Sequence, residues 1–321
     1  MPNTLQYVDW LTMEGLRILK NKLQCAQFAN TDYNKEYTKE FAVGETIRVP
    51  LPQRFTIRNG LEYTPQSLNR LNTTVTCDQI FGLDFEWDDA EAALKLERGQ
   101  ERIKQEYLEP AMVQIAQEAD SRFARFAAQN CNNIVGVLGT DPTSFQTMNQ
   151  ARQRLVELAC PPGTKRGMII PPSVNTSLVN AAIQYFNPAD AIAKQYKEGY
   201  IGYNSGFQWY ESMSLHRHTD GSRTGDTDTV NAAPASGATS IVFDTTSGDT
   251  YLKGDVFSID NVYAVNPSTR AVTTFATDKQ FVVTQDVTAT GATVTVQFSP
   301  PMYGPGSQYQ NVDALPVAGA T

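Results

Sequence analysis

Between Gly44 and Gly60 the chain alternates in character. Ile47, Val49, Leu51, Phe55 and Ile57 share one parity, while Thr46, Arg48, Pro50, Pro52, Arg54, Thr56 and Arg58 share the other. A period of two is that of a pleated strand with one apolar face; Gln53 breaks it. Proline cannot donate to a sheet ladder, so Pro50 and Pro52 exclude a central strand and predict an edge or a projecting ribbon. Such an edge needs a partner, either this chain or another copy of it.

The pattern then changes along the chain. Val8, Leu11, Leu16, Ile18, Leu19 and Leu23 fit a helix only loosely and predict an arm, followed by the polar "NTDYNKEYTKEF". The ribbon region, 41 to 87, turns at Asn59-Gly60 and returns through "TVTCDQIFGLDFEW". A helical zone follows from Asp88 to Asn130, capped by Asp88 or Asp89 and broken at Pro110, where a second helix starts because proline's fixed φ suits a first turn. In it Met112, Ile115, Ala116, Ala119, Phe123 and Phe126 recur at steps of three and four, giving about five amphipathic turns.

From 131 to 220 the signals are mixed: a helix near Ser144 to Leu158, the turn "PPGTK", a buried strand "GMIIP", a helix near Val174 to Tyr185 and strands around "GFQWYES". That reads as one α+β domain. "HTDGSRTGDTDTVNAAPASGAT" is rich in Gly, Ser, Thr and Asp and reads as a linker or loop. Beyond it "TSIVFD", "DVFSIDNVYAV", "AVTTFAT", "KQFVVTQDV" and "ATVTVQFSP" predict about five strands, enough for a small barrel or sandwich.

Composition narrows the function classes. The 321 residues carry a net charge of -8 at a pI of about 4.9, so the chain as a whole is a poor electrostatic ligand for nucleic acid. No apolar run approaches the roughly 18 residues of a membrane span, and the N-terminus lacks the features of a signal peptide. Four cysteines without a CxxC pair predict reduced thiols rather than a disulfide framework or zinc module.

Candidate chemistry is sparse. The two histidines, His216 and His218, stand with Asp220 in "LHRHTDG". They suggest a two-histidine, one-carboxylate metal set, but their place beside a flexible loop favours an exposed strand end, and no metal or cofactor is assigned. "GYNSG" has its serine one place late for a nucleophile elbow and reads as a turn. Asp84, Glu86 and Asp88 read as the wet face of a strand rather than as paired catalytic carboxylates. There is no phosphate-cradling loop. No catalytic residue is assigned. The arginines of the ribbon suit either nucleic acid or, with Glu40, Glu45 and Glu62 nearby, carboxylates on another chain.

The order of elements, together with "VPLPQRFTIRNG", "YLEPAMVQIAQEADSRFARFAA", "GYIGYNSGFQWYESMSLHRHTDG" and "YLKGDVFSIDNVYAVNPSTR...KQFVVTQDV", resembles the major capsid proteins of tailed bacteriophages. The match is to the short-tailed-phage coat-protein family that carries an inserted β-barrel domain. The resemblance implies an α+β fold of the tailed-phage capsid (Johnson) type, shared with encapsulins and herpesvirus shell floors. On this chain it implies an N-terminal arm (1 to 35), an extended β loop lying over a neighbouring subunit (36 to 87), a peripheral domain with the spine helix (88 to 130) and an axial domain (131 to 223). An inserted β-barrel domain (224 to 303) and a return segment (304 to 321) follow, with a C-terminal remainder expected beyond Thr321.

The resemblance further implies a non-enzymatic shell protein of the virion. It assembles with itself in the bacterial cytoplasm into pentamers and hexamers of an icosahedral capsid, with a scaffolding protein during assembly and a portal at one vertex. Double-stranded DNA is enclosed without sequence-specific binding, a decoration protein is a possible partner, and no membrane is involved. Arg48, Arg54, Phe55, Ile57 and Arg58 are the subunit-interface candidates. An encapsulin-like compartment is the alternative.

Overall fold

The alternating segment is a regular strand only up to its first proline. In the computed structural model, which describes residues 4–29, 46–55, 57, 60–63, 65, 66, 68, 72–76, 78–84, 104–137, 139–160, 166–183, 203–225, 228–275 and 278–321, strand β1 runs Thr46–Pro50. It pairs antiparallel with β2 (Asn72–Thr76), with Ile47 opposite Val75, Arg48 opposite Thr74 and Val49 opposite Thr73. Ile47 and Val49 are half-buried and Thr46, Arg48 and Pro50 exposed, the alternation that a two-faced ribbon requires. Asn59 of the turn, the "PPGTK" turn and the Asp88 or Asp89 cap lie outside the described residues.

The chain divides into two units, Met1–Phe123 and Ala124–Thr321. The first contains the ribbon and helix α1 (Thr4–Lys22), whose last turn carries Lys20 and Lys22 where the helix dipole favours cations. The loose apolar pattern thus makes a full helix. Gly15 is buried in it, and a β-carbon there would lie 3.5 Å from Met112 Sδ and 3.7 Å from Leu108 Cδ1. The missing side chain therefore lets α1 approach helix α2 (Glu109–Asn130) closely. Pro110 sits in the first turn of α2, after a wide turn over Lys104–Leu108. Leu108, Ala111, Ala116 and Asp120 are buried at helical steps.

Asp120 is the polar member of that buried face. Its carboxylate accepts the backbone N–H groups of Gln24 (2.8 Å), Cys25 (3.1 Å) and Ala26 (2.9 Å), donors at the start of the short turn Ala26–Phe28, where N–H groups have no partner within the turn itself. One buried carboxylate thus fixes where the N-terminal segment stops. Glu14 of α1 takes both Lys104 and Arg17 at 2.5 Å.

Among its described residues the second unit has two hydrophobic cores. In the α+β part, helix α3 (Phe145–Glu157) and helix α4 (Pro172–Ile183) accompany a three-stranded sheet ordered β3-β5-β4, where β3 is Gly167–Ile170, β4 Tyr203–Asn204 and β5 Phe207–Glu211. Met148, Ile170, Val174, Leu178, Phe207 and Trp209 fill its core. Strands β3 and β5 are parallel because α4 lies between them in sequence.

The β module holds β6 (Thr229–Val230), β7 (Ala238–Asp244), β8 (Thr250–Tyr251), β9 (Val256–Tyr263), β10 (Asp278–Val283), β11 (Val287–Thr288) and β12 (Thr293–Met302). Its main sheet is ordered β6-β7-β12-β10-β9, and β11 and β8 form a small second sheet. Phe243, Phe257, Phe281 and Phe298 pack at ring separations of 5.0 to 6.0 Å, mostly edge to face, where aromatic pairs gain beyond simple burial.

Two expectations for this region change. "AVTTFAT" forms no strand; among its described residues only Val272 makes a bridge, to Val265. The stretch instead turns towards α3, where Thr274 Oγ1 and Phe275 N–H donate to the Glu157 carboxylate at 2.5 and 3.0 Å, and the buried Arg154 donates to Phe275 O at 3.3 Å. The final residues also belong to this module. Val312 is fully buried in its core, Val230 N–H donates to Ala320 O at 2.8 Å, and Asp260 N–H donates to Thr321 O at 2.7 Å.

Candidate assembly surface

Past Pro50 the ribbon presents its apolar residues to solvent. Phe55 is 63% exposed, Ile57 95% and Leu61 101%, with Tyr63 and Leu68 exposed nearby. The cause is local: Pro50 and Pro52 end regular pairing, so among the described residues the face that alternation makes apolar has no second layer to cover it. Arg54 is exposed here, and Arg48 projects from the opposite face of β1. Among the described residues neither arginine forms an ion pair. Arg58 lies outside the described residues, as do Glu40 and Glu45.

The return segment after β2 is anchored rather than free. Arg122 of α2 stacks over the Phe81 ring at 4.6 Å from its centroid, a geometry worth on the order of 0.5–2 kcal/mol. Ile80 and Leu83 on either side of Phe81 remain substantially exposed. The surface so built has apolar side chains interleaved with two guanidinium groups, a composition suited to a protein partner.

The remaining candidate groups are placed differently. Ser205 and Gly206 both have positive φ (54° and 82°) in the turn joining β4 to β5, so the "GYNSG" serine serves a tight hairpin. Of the three carboxylates read as the wet face of a strand, Glu86 and Asp88 lie outside the described residues. His216 is held below the usual histidine range first by burial, then by the charges of Arg125 and His218.

His218 does not stand on an exposed strand end. Its Nε2 lies 2.7 Å from Asp255 Oδ1 and 3.6 Å from Asp220 Oδ1, and its side chain is largely covered. The start of the segment expected to be a linker or loop is pinned: Asp255 Oδ2 accepts Gly221 N–H (3.2 Å) and Leu252 N–H (2.9 Å), and Asp249 Oδ1 accepts Thr224 N–H and its hydroxyl at 2.8 and 2.7 Å. Asp255 stands 35 positions beyond Asp220 in the chain, so no spacing rule joins it to the histidine motif.

No family model matches the chain, and no curated protein matches it. Among solved structures, a chain of Mycobacterium phage Che8 is similar, at 15% identity and a TM-score of 0.44, with 86% of each chain covered.

Proposed function

We propose that this chain is the major capsid protein of a tailed bacteriophage, a subunit that associates with itself into pentamers and hexamers of a closed icosahedral shell around double-stranded DNA. The observation that carries the reading is the ribbon: Ile57 and Leu61 lie bare, and Phe55 largely exposed, on an extended, proline-interrupted element. Fully burying side chains of this size is worth roughly 1.5–3 kcal/mol each, so three supply on the order of 5–9 kcal/mol before the cost of association. A shell needs individual contacts of about 4–8 kcal/mol, micromolar to millimolar, so that misplaced subunits can leave again.

In this reading the apolar residues pack on a neighbouring subunit, Arg48, Arg54 and Arg58 meet its carboxylates or carbonyls, and the prolines stop open-ended sheet growth. Contacts of this head-to-tail kind close into rings. The net charge of -8 suits a container whose DNA is neutralised by small cations rather than bound to the wall.

Expression of the full chain with its scaffolding protein, followed by sedimentation and electron microscopy, tests the proposal. Closed particles of uniform diameter are expected; a chain that stays monomeric at high concentration overturns it. Nuclease-resistant DNA inside particles from infected cells separates a capsid from an encapsulin-like compartment.

A further inference from the structure

The fold brings together three metal-ligating side chains that the ribbon and its assembly role do not use. His218 Nε2, Asp220 Oδ1 and an oxygen of Asp255 all lie within 4.8 Å of one another. Asp255 is 1% exposed, which sets the group apart from a chance gathering of surface carboxylates. Its two oxygens have separate surroundings: Oδ2 takes the N–H groups of Gly221 and Leu252, with Arg223 at 3.9 Å, whereas Oδ1 faces His218. Backbone donors on one oxygen of a ligating carboxylate orient the other towards the ion, the role that outer hydrogen bonds play at metal sites.

We propose that His218, Asp220 and Asp255 form a binding site for one divalent transition-metal cation, with Zn2+ as the ion that fits best. An imidazole nitrogen and two carboxylate oxygens make a mixed donor set that zinc accepts and that calcium, which takes oxygen ligands, does not use. Bonds of about 2.0–2.2 Å to Nε2 and Oδ1 in a tetrahedral site place these atoms about 3.4 Å apart, so the cation replaces their present 2.7 Å hydrogen bond and moves them apart by about 0.7 Å. The imidazole then gives its Nε2 lone pair to the cation and carries its proton on Nδ1. Two carboxylates against the single charge of Arg223 leave the site one negative charge in excess, which favours a dication.

The cation would tie residues 218 to 220, which lead into the β module, to the turn preceding β9. Because metal binds the folded site and not the open chain, it raises the stability of the second unit in proportion to its occupancy. The inference is independent of the proposed shell function.

Metal-free full-length protein titrated with Zn2+ in a calorimeter, and with Co2+ by visible absorption, provides the test. One equivalent of Zn2+ is expected to bind, Co2+ is expected to show bands of a nitrogen- and oxygen-ligated site, and the melting temperature is expected to rise with Zn2+. Asp220→Asn is expected to weaken binding at least tenfold, and His218→Ala to abolish the Co2+ bands. Asp220 is 58% exposed, so its variant keeps the test decisive if His218→Ala fails to fold. Failure to bind one equivalent of Zn2+, or binding unchanged in Asp220→Asn, overturns the proposal.

Discussion

Asp120 Oδ1 accepts the backbone N–H of Cys25 at 3.1 Å, and both residues are almost completely buried. With Gln24 and Ala26 also donating to this carboxylate, Asp120→Ala strands three backbone donors, a loss of about 2–4 kcal/mol. Chemical denaturation of the variant is expected to show that loss, and the Cys25 thiol is expected to react with a disulfide reagent many times faster than in the parent. Unchanged thiol reactivity would mean that Asp120 does not close the end of α1.

On the ribbon, Phe55→Asp and Arg54→Ala are expected to leave the circular-dichroism spectrum and melting temperature of the monomer unchanged, since both side chains are exposed. Particle formation is expected to fail in both. Normal particles from both variants would refute the assembly role given to this surface.

Gly221 crosses the main chain of Thr250 so closely that a β-carbon would lie 2.0 Å from the Thr250 carbonyl oxygen. Gly221→Ala must push the two segments apart and break the bonds that Asp255 makes there. A loss of roughly 2–4 kcal/mol is expected, read as a lowered denaturation midpoint and as amide exchange accelerated near Gly221 and Leu252.

Acid acts on two carboxylates of the second unit. Burial would raise Glu157, but hydrogen bonds from Thr274, Gln153 and Phe275 N–H, with the charge of Arg154, hold it below the usual glutamate range. Asp249 is lowered first by the Thr224 hydroxyl, then, against the opposing effect of burial, by Thr224 N–H, Thr245 and Thr246. Carboxyls depressed in the folded state contribute fully above their ordinary values of 4.5 and 3.8 and lose that contribution as the pH falls through the lowered ones. Stability is expected to be level near neutrality and to fall below about pH 4.5, with Glu157→Gln showing a smaller fall in urea titrations across that range.

The alkaline side belongs to Tyr251. Burial, then the hydrogen bond to Asp228 at 2.5 Å, pushes its phenol up to about 12. A raised value means that the neutral form is favoured on folding, so its contribution is complete below pH 10 and lost as the pH rises through 12. Ultraviolet titration is expected to show one tyrosine ionising late, and Tyr251→Phe to remove it.

Much of the secondary structure is dictated by local patterns in the sequence. The steps of three and four from Met112 to Phe123 specify α2, Pro110 marks its first turn, and alternation with β-branched residues specifies β1, β7 and β12, because each pattern puts apolar atoms on one side of a regular backbone. The ribbon arginines and apolar residues were legible for the same reason. Tertiary structure alone decided the rest. "AVTTFAT" has strand composition, yet its backbone is drawn to Glu157 and Arg154, which stand more than a hundred residues earlier. The last ten residues complete the β module because the sheet leaves a place for Val312. Asp255 reaches His218 because two turns cross where only Gly221 fits. Local pattern fixes which face of an element is apolar, whereas pairings between distant side chains exist only once the chain has closed its loops.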